Sequence, residues 1–495
     1  MTGSVDTIAC VTAPRLALPG RRSLKRGDAR SEATAERRVA PAALGTTGLR
    51  RHRALLESGA LLESAPRPLP GVSVVGQPAG RGLLRKPPTV EELLLEIDRW
   101  FTAEAGEVLR RTRLGVDADE RPAVFVGLHP AAPEVEIVAT TDDRVTLTAV
   151  TAPAGPGYHT FLGHLVPRLG TDLEVTWSQY DAASEGQELT EIYEPDDRPG
   201  VEAEMLAWLR PVLLEARASR ARGGDTVHVG LPSGTLYDVQ GAVATNLGPR
   251  DDTWLEQAVA QPAMALDVWP WWADATDARY LLNRALCLMW RDVRWRPPGT
   301  VEEAELMDEV RSCLRRAHSF DPALPFPWRE WAELLRLRGG DESLADLVAS
   351  RAAEADDRPP IGYRRRPVTI VHEGWSVAVP GSFAERRSAD EWWGGEGGRG
   401  ITLAATTTGT DFGPMAPEEF LAQVAGGLGG GALQHRQGPV IGAARLTTDT
   451  SSGIEVAVLE GYSAVVGSGA AIRIVFENPA DWNWALDTWR GLGPA

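Results

Sequence analysis

After Lys86 the 495-residue chain contains no lysine. A side-chain ammonium is therefore missing from everything downstream, which excludes a Walker-type phosphate loop, a kinase ATP lysine, a Schiff base and a nuclease lysine there. Cysteine is almost as scarce. Cys10, Cys287 and Cys313 are odd in number and far apart, which argues against a disulfide framework or a cysteine-based zinc site. No stretch approaches the roughly 18–20 uninterrupted apolar residues that a membrane span needs. The first twenty residues lack the basic segment and long apolar run of a secretory signal, so Cys10 is also a poor lipoprotein site. These absences predict a cytoplasmic protein that makes no use of a membrane, a metal or a cofactor.

What is present is ordinary in bulk, with 43% hydrophobic and 24% charged residues, and the length predicts roughly two to four domains. The charge is uneven. Residues 1–86 carry fifteen Lys and Arg against six Asp and Glu, a net +9, whereas residues 87–495 carry thirty-six against sixty-two, a net −26. An acidic body repels phosphates, so it excludes nucleic-acid binding through the folded part and binding to anionic membrane. Residues 1–86 show no sustained period of two or of 3.6 and are expected to be a disordered basic extension, either an arm for an acidic partner or the product of a start site assigned too far upstream.

The rest predicts an α+β multidomain chain. Residues 87–240 read as a mixed α/β domain: a helix from Val90 to Arg111, strands at 123–128, 135–140 and 144–151, a helix at 158–169, a strand at 173–177, a helix at 201–221 and a strand at 226–230. Residues 241–363 read as helical, beginning near Asp277. Thr300 and Glu303 form a capping box ahead of a helix to His318; Pro327 then opens a helix ending at Gly339-Gly340, and Asp341 can cap a last one. Residues 364–495 return to strands, including 368–371, 375–379, 438–448, 455–463 and 470–477, with helices at 417–428 and 479–492.

Two stretches resemble known families. Leu314, Ala317 and Pro322, followed by Trp328, Trp331, Ala332 and Leu335, resemble the end of one tetratricopeptide repeat and the start of the next, although Arg296–Thr300 interrupts the 34-residue period. The resemblance implies protein binding. The segment 374–383, a strand running into Pro380 and then Phe383, resembles the opening of Mog1/PsbP-like domains, and the order of elements after it is similar to that family. This implies an antiparallel sheet covered by helices and a partner-binding or accessory role, with no site residue carried over.

Two places are candidate sites. Tryptophan, at seventeen residues, outnumbers Phe and Tyr separately. Trp269, Trp271 and Trp272 lie near Arg291, Arg294 and Trp295, the two residue types that dominate binding hot spots. Such residues either fill a helix-packing core, with Arg stacked over Trp, or form a contact surface; Trp271 and Trp272, in a Pro-flanked loop, are the candidate exposed anchors. The second place is Gly155-Pro156-Gly157-Tyr158-His159, where a strand enters a helix. His159 could act as a general base or bind an anion with the free amides of the helix start, or it could simply close the turn. Gly155 and Gly157 lack the third glycine of a dinucleotide fingerprint, because Thr160 occupies its place. His164 is five residues from His159, about 140° around a helix, so the two do not share a metal. Acidic clusters at 117–120, 194–197 and 251–252 sit beside turn formers and read as solvated loops.

The leading expectation is a non-catalytic adaptor or regulatory subunit that binds a protein through the Trp-rich segment. One alternative is an enzyme acting on a small anionic substrate at Gly155–His159. Another is an acidic immunity-like protein that neutralises a basic partner.

Overall fold

The computed structural model describes all residues except 1–69, 80–87, 118, 180–196, 223–225, 233, 240–241, 274–275, 340–342, 357, 389, 411–412, 425–427, 429–431 and 451–454. The architecture is α+β and divides into two compact units. One runs up to Val368 and includes Pro380–Ser382; the other comprises Thr369–Val379 and Phe383–Ala495.

The first unit is built on a six-stranded, fully antiparallel sheet. Its strands are β1 (Gly71–Pro78), β2 (Arg111–Val116), β3 (Pro122–Gly127), β4 (Val135–Ala139), β5 (Val145–Val150) and β6 (Val175–Gln179), in the order β2-β3-β4-β5-β1-β6. β1 corrects the expectation for residues 1–86: residues 71–78 pair on both sides inside the sheet. Val72 and Val74 supply the period of two, too briefly to stand out among the prolines and glycines around them. Gly76 is required there because a Cβ would lie 2.6 Å from the Trp177 ring on β6.

Helices α1 (Val90–Glu104) and α2 (Pro156–Leu173) bury their apolar residues against this sheet. Thr89 caps α1 reciprocally with Glu92, at 3.3 and 3.0 Å. The helix expected to reach Arg111 stops at Glu104, because Gly106 takes a left-handed φ of 54° and Arg111–Val116 becomes strand β2.

After β6 come α3 (Arg198–Ala221), β7 (Thr226–Val229), β8 (Thr235–Tyr237), β9 (Ala242–Thr245), β10 (Gly248–Arg250) and α4 (Asp252–Ala260). β7, β9 and β10 form a small sheet, with β7 and β9 parallel, and share a core with α3 and α4. Four helices complete the unit: α5 (Ala278–Arg291), α6 (Val301–Phe320), α7 (Trp328–Arg338) and α8 (Ala345–Glu354). Thr300 caps α6 through the Glu303 amide at 3.2 Å, but the Glu303 carboxylate accepts from the Gly299 amide and Arg296, so the cap is one-sided.

The core under the six-stranded sheet continues without a break into α5, α6 and α7, where Leu281, Leu288, Leu314 and Trp331 join Val74, Ile137 and Leu165. Each such side chain contributes about 1.5–3 kcal/mol when fully buried. The expected boundary at 240/241 therefore lies within one core, and the helical segment is part of the first unit.

The second unit holds a seven-stranded antiparallel sheet of β13 (Ala384–Arg387), β14 (Trp392–Glu396), β15 (Arg399–Thr407), β18 (Leu433–Gln437), β19 (Val440–Asp449), β20 (Val456–Val465) and β21 (Ser468–Phe476), in the order β13-β14-β15-β21-β20-β19-β18. β11 (Val368–His372), β12 (Trp375–Val379) and β22 (Gly493–Pro494) pair beside it in the order β22-β12-β11, and β16 (Gly409–Thr410) and β17 (Gly413–Pro414) form a short ribbon. Two helices, α9 (Pro417–Val424) and α10 (Trp482–Arg490), lie on the large sheet. Phe420 of α9 rests where Gly469 leaves room, and Trp489 of α10 rests on Gly461; a Cβ at either glycine would come within 2.4 or 2.6 Å of the ring.

Candidate functional site

Part of the tryptophan-rich candidate, Trp269 to Ala273, packs against the other candidate place, whereas Arg291, Arg294 and Trp295 make their contacts elsewhere. Gly155, with φ 110°, is the N-cap of α2, and Pro156 follows as its first residue. The segment Trp269–Ala273 lies directly against this turn. The Trp271 amide donates to the Ala154 carbonyl at 2.9 Å, and the Gly157 amide donates to the Trp271 carbonyl at 3.0 Å. A Cβ on Gly157 would sit 2.1 Å from the Ala273 carbonyl oxygen and 2.5 Å from the Trp271 ring, and one on Gly155 would sit 2.7 Å from Trp269 Cβ. Glycine is needed at both positions because another stretch of the chain passes there, not because a phosphate does.

This packing also fills the anion site that a helix start would offer. Pro156 has no amide hydrogen, Gly157 donates to Trp271, and the Tyr158 and His159 amides both donate to the Gly155 carbonyl, at 3.1 and 3.3 Å. His159 is 3% exposed. Its Nδ1 lies 2.9 Å from the Thr151 hydroxyl, which itself donates to the Pro70 carbonyl, so Nδ1 carries the proton in this bond. Burial lowers the pKa of His159 to about 4, leaving a neutral ring that closes the turn. His164 is exposed on the other side of α2, away from His159.

The tryptophan segment is correspondingly internal. Trp271 is 0% and Trp269 2% exposed, which overturns the expectation of an exposed anchor at Trp271. Trp269 donates from Nε1 to the Ala152 carbonyl at 2.8 Å and stacks on the half-buried Trp272, beside which Arg198 packs with its guanidinium 5.4 Å from the ring. Trp295 has the Arg365 guanidinium 3.8 Å over its ring. Arg291 is buried, bonds Asp292 at 3.1 and 2.9 Å, and accepts at its own carbonyl from Arg364 at 2.9 Å. Arg294 is half-buried and donates to the Asp292 carbonyl at 3.3 Å. Arginine does accompany tryptophan, but inside the chain, so the structure separates Trp269, Trp271 and Arg291 from any contact surface.

Trp271 leads into a polar node that the sequence reading missed. Its ring lies 4.4 Å from Tyr280, 5.6 Å from Tyr158 and 5.8 Å from His129, centroid to centroid. His129 follows β3, and its Nδ1 accepts from the Ala131 amide at 3.1 Å, so the neutral ring carries its proton on Nε2. Burial, reinforced by the guanidiniums of Arg284, Arg110 and Arg291, pushes its pKa well below the usual histidine range. Arg284, on α5, donates to Glu309 of α6 from Nε and Nη2 at 2.9 and 2.7 Å, and from Nη1 to the carbonyls of Glu107 and Val108 and to the Tyr280 hydroxyl. Arg110 reaches both Glu309 oxygens at 3.2 Å. One guanidinium thus ties α5, α6 and the chain between α1 and β2 together. A signal existed: Arg284 falls on the same helical stripe as Leu281, Ala285 and Leu288, where a cation needs a buried carboxylate.

The two described cysteines and several of the clustered acids are also committed. Burial raises the thiol pKa of Cys287 to about 12 and of Cys313 to about 11, which keeps both protonated and unreactive. Asp251 caps α4 through the Trp254 amide at 2.7 Å, Asp252 pairs with Arg220 at 2.7 Å, and Asp117 holds Arg121. Of the 194–197 cluster only Asp197 lies within the described residues, and it caps α3. Among the described residues no cluster of three or more His, Cys, Asp or Glu is placed to hold a metal ion, and no helix is long and apolar enough to cross a membrane. An open depression of about 300 Å³ on α6 is lined by Asp308, Arg311, Ser312 and Arg315, away from both candidate places.

No protein-family model and no curated protein matches this chain. Among solved structures, a crystal structure from Bacteroides thetaiotaomicron VPI-5482 is similar at a TM-score of 0.21 and 9% identity over 25% of this chain, and the match spans 45% of that protein's length.

Proposed function

We propose that the chain is a non-catalytic subunit that binds a basic protein partner through its acidic surface. The observation that carries this reading is the net charge of −26 over residues 87–495, together with a set of ion pairs whose carboxylate lies outermost, although Arg222–Glu215 at the end of α3 is reversed, 64% against 17% exposed. In the pairs Arg220–Asp252, Arg250–Asp267, Arg311–Asp308 and Arg316–Glu107 the carboxylate is the outer member, 61, 52, 47 and 71% exposed, while the arginine side chains are 16–29% exposed. These pairs present carboxylate oxygens to solvent on a chain that already carries a net −26 over residues 87–495. A cationic partner gains long-range attraction from such a field, and anionic ligands are repelled. The groups that would do acid–base or nucleophilic work, His129, His159, Cys287 and Cys313, are buried in states that suit packing. The resemblances to tetratricopeptide repeats and to Mog1/PsbP-like domains point the same way, because both imply partner binding.

The test is retention of host proteins on the immobilised full chain at low and high salt, beside a variant with Asp252→Asn, Asp267→Asn and Glu256→Gln, the last an exposed carboxylate on α4 beside Arg217. The reading expects a stoichiometric basic protein, released as the ionic strength rises towards about 1 M, where the screening length falls to about 3 Å, and held less well by the variant. Retention that ignores both salt and the three substitutions contradicts it.

A further inference from the structure

Among the described residues β2 is the end strand of the six-stranded sheet, and its edge is protected only by Arg111 and Arg113, whose charges Glu134 pairs. Leu114 and Val116 are 48 and 58% exposed, and the strand contains neither lysine nor proline. Its register with β3 pairs Arg111 with Gly127, Arg113 with Phe125 and Gly115 with Ala123, and the Asp117 amide donates to the Arg121 carbonyl at 2.9 Å in the same register. Hydrogen-bonded and open pairs alternate in an antiparallel ladder, so the odd-numbered residues bond to β3. The amides and carbonyls of Thr112, Leu114 and Val116 therefore face outward. Pro122 fits this assignment: it lies opposite Val116, where no bond back to β2 is made.

This edge is also nearly balanced in charge on an otherwise acidic chain, with Arg111, Arg113 and Arg121 against Asp117, Asp119, Glu120 and Glu134. Arg111 and Arg113 both pair with Glu134, at 2.8 and 3.0 Å, and Arg121 pairs with Asp117 and Asp119. Here the arginines are the outer members, 69 and 50% exposed against 18% for Glu134. Two copies with a net charge of −17 each can approach only where the local charge is nearly balanced.

The sequence along the strand, Arg111-Thr112-Arg113-Leu114-Gly115-Val116-Asp117, is complementary to its own reverse. Turned antiparallel about Leu114, it sets Arg111 opposite Asp117, Thr112 opposite Val116, the long Arg113 opposite Gly115, and Leu114 opposite itself. The same register aligns outward amides with outward carbonyls at 112, 114 and 116, which a shift of one residue would not. We propose that β2 pairs with β2 of a second copy of this chain across a two-fold axis at Leu114, joining two six-stranded sheets into one. The interface is isologous, so each copy supplies the same strand. It stands independently of the basic-partner reading.

The test is sedimentation equilibrium of the full chain up to about 200 µM, enough to populate a small, weak interface. The wild type is expected to show concentration-dependent dimer. Leu114→Arg, which sets two cations face to face on the axis, and Val116→Pro, which removes an outward amide that the sheet does not use, each raise the dimer Kd more than about tenfold while the unfolding midpoint holds. In a Cys10→Ala background, Leu114→Cys is expected to give a 114–114 disulfide on mild oxidation, since facing Cα atoms about 5.5 Å apart are within disulfide reach, and Thr112→Cys is not. A wild type that stays monomeric throughout overturns the proposal, as does equal cross-linking at 112 and 114.

Discussion

The turn at Gly155–His159 and the edge strand β2 lie in the same unit and are opposites in hydrogen bonding. At the turn every amide of the helix start has a partner, two glycines admit a neighbouring segment, and histidine and tryptophan are sealed inside. At β2 the amides and carbonyls of three residues point away from the sheet with no strand beyond them among the described residues, and the strand holds no glycine turn, histidine or tryptophan. The contrast teaches that glycine, tryptophan and histidine mark a site only if the chain leaves room beside them. A plain strand becomes a site when its backbone lacks a partner.

The largest effects should come from the sealed region. Trp271→Ala removes a ring packed against Tyr158, Phe161, Tyr280 and His129, and Arg284→Ala leaves Glu309 with Arg110 alone; each should cost about 3–5 kcal/mol by urea unfolding. A loss below about 1 kcal/mol for Trp271→Ala would return that residue to the surface and erase the contrast.

Acid should act on the same region. The folded pKa of His159, about 4, is below the unfolded value near 6.5. The folded state therefore binds fewer protons in this window, and the stabilisation from a neutral ring is complete above about pH 6.5 and lost as pH falls towards 4. The full shift corresponds to about 3 kcal/mol, and His129 acts in the same direction. Unfolding midpoints at pH 7 and 5 should differ less in His159→Gln than in the wild type; an equal difference would mean that His159 is solvated.

Gly157→Ala should cost about 1–3 kcal/mol, because its Cβ meets backbone at Ala273 as well as the Trp271 ring, and this loss should persist in part when Trp271 is also replaced. Smallest of all, Leu114→Arg on the open edge should change stability by no more than about 0.5 kcal/mol. A larger loss there would show that β2 is covered and end the comparison from the other side.

Much of the fold was legible where periodicity ran long. Strands β3, β4 and β5, helices α2, α3 and α6, and β11, β12, β19, β20, β21, α9 and α10 of the second unit fall within a few residues of their expected positions, because each carries a long enough pattern between turn formers, whereas β13, β14, β15 and β18 of that unit were not expected. β1, β9 and β10 were not legible, since β1 and β10 are broken by glycine and proline and β9 and β10 are only four and three residues long, and such segments show no pattern until a neighbouring strand fixes them. The candidate residues were legible as unusual but not as buried. That Gly157 faces Trp271 depends on a contact across more than a hundred residues, which neither segment records. Arg284 could have been found from its own helix stripe, though Glu309 and Arg110 as its partners could not.

The most direct measurement is amide hydrogen exchange, followed by mass spectrometry with peptides covering residues 155–160 and 269–273. Amides at a helix start ordinarily exchange quickly because they lack partners. If the turn and the tryptophan segment form one sealed node, the Gly157 and Trp271 amides should be protected to nearly the level of global unfolding, and together. Rapid exchange at Gly157 with slow exchange in the middle of α2 would contradict this, and would mean that the helix start is open to a ligand.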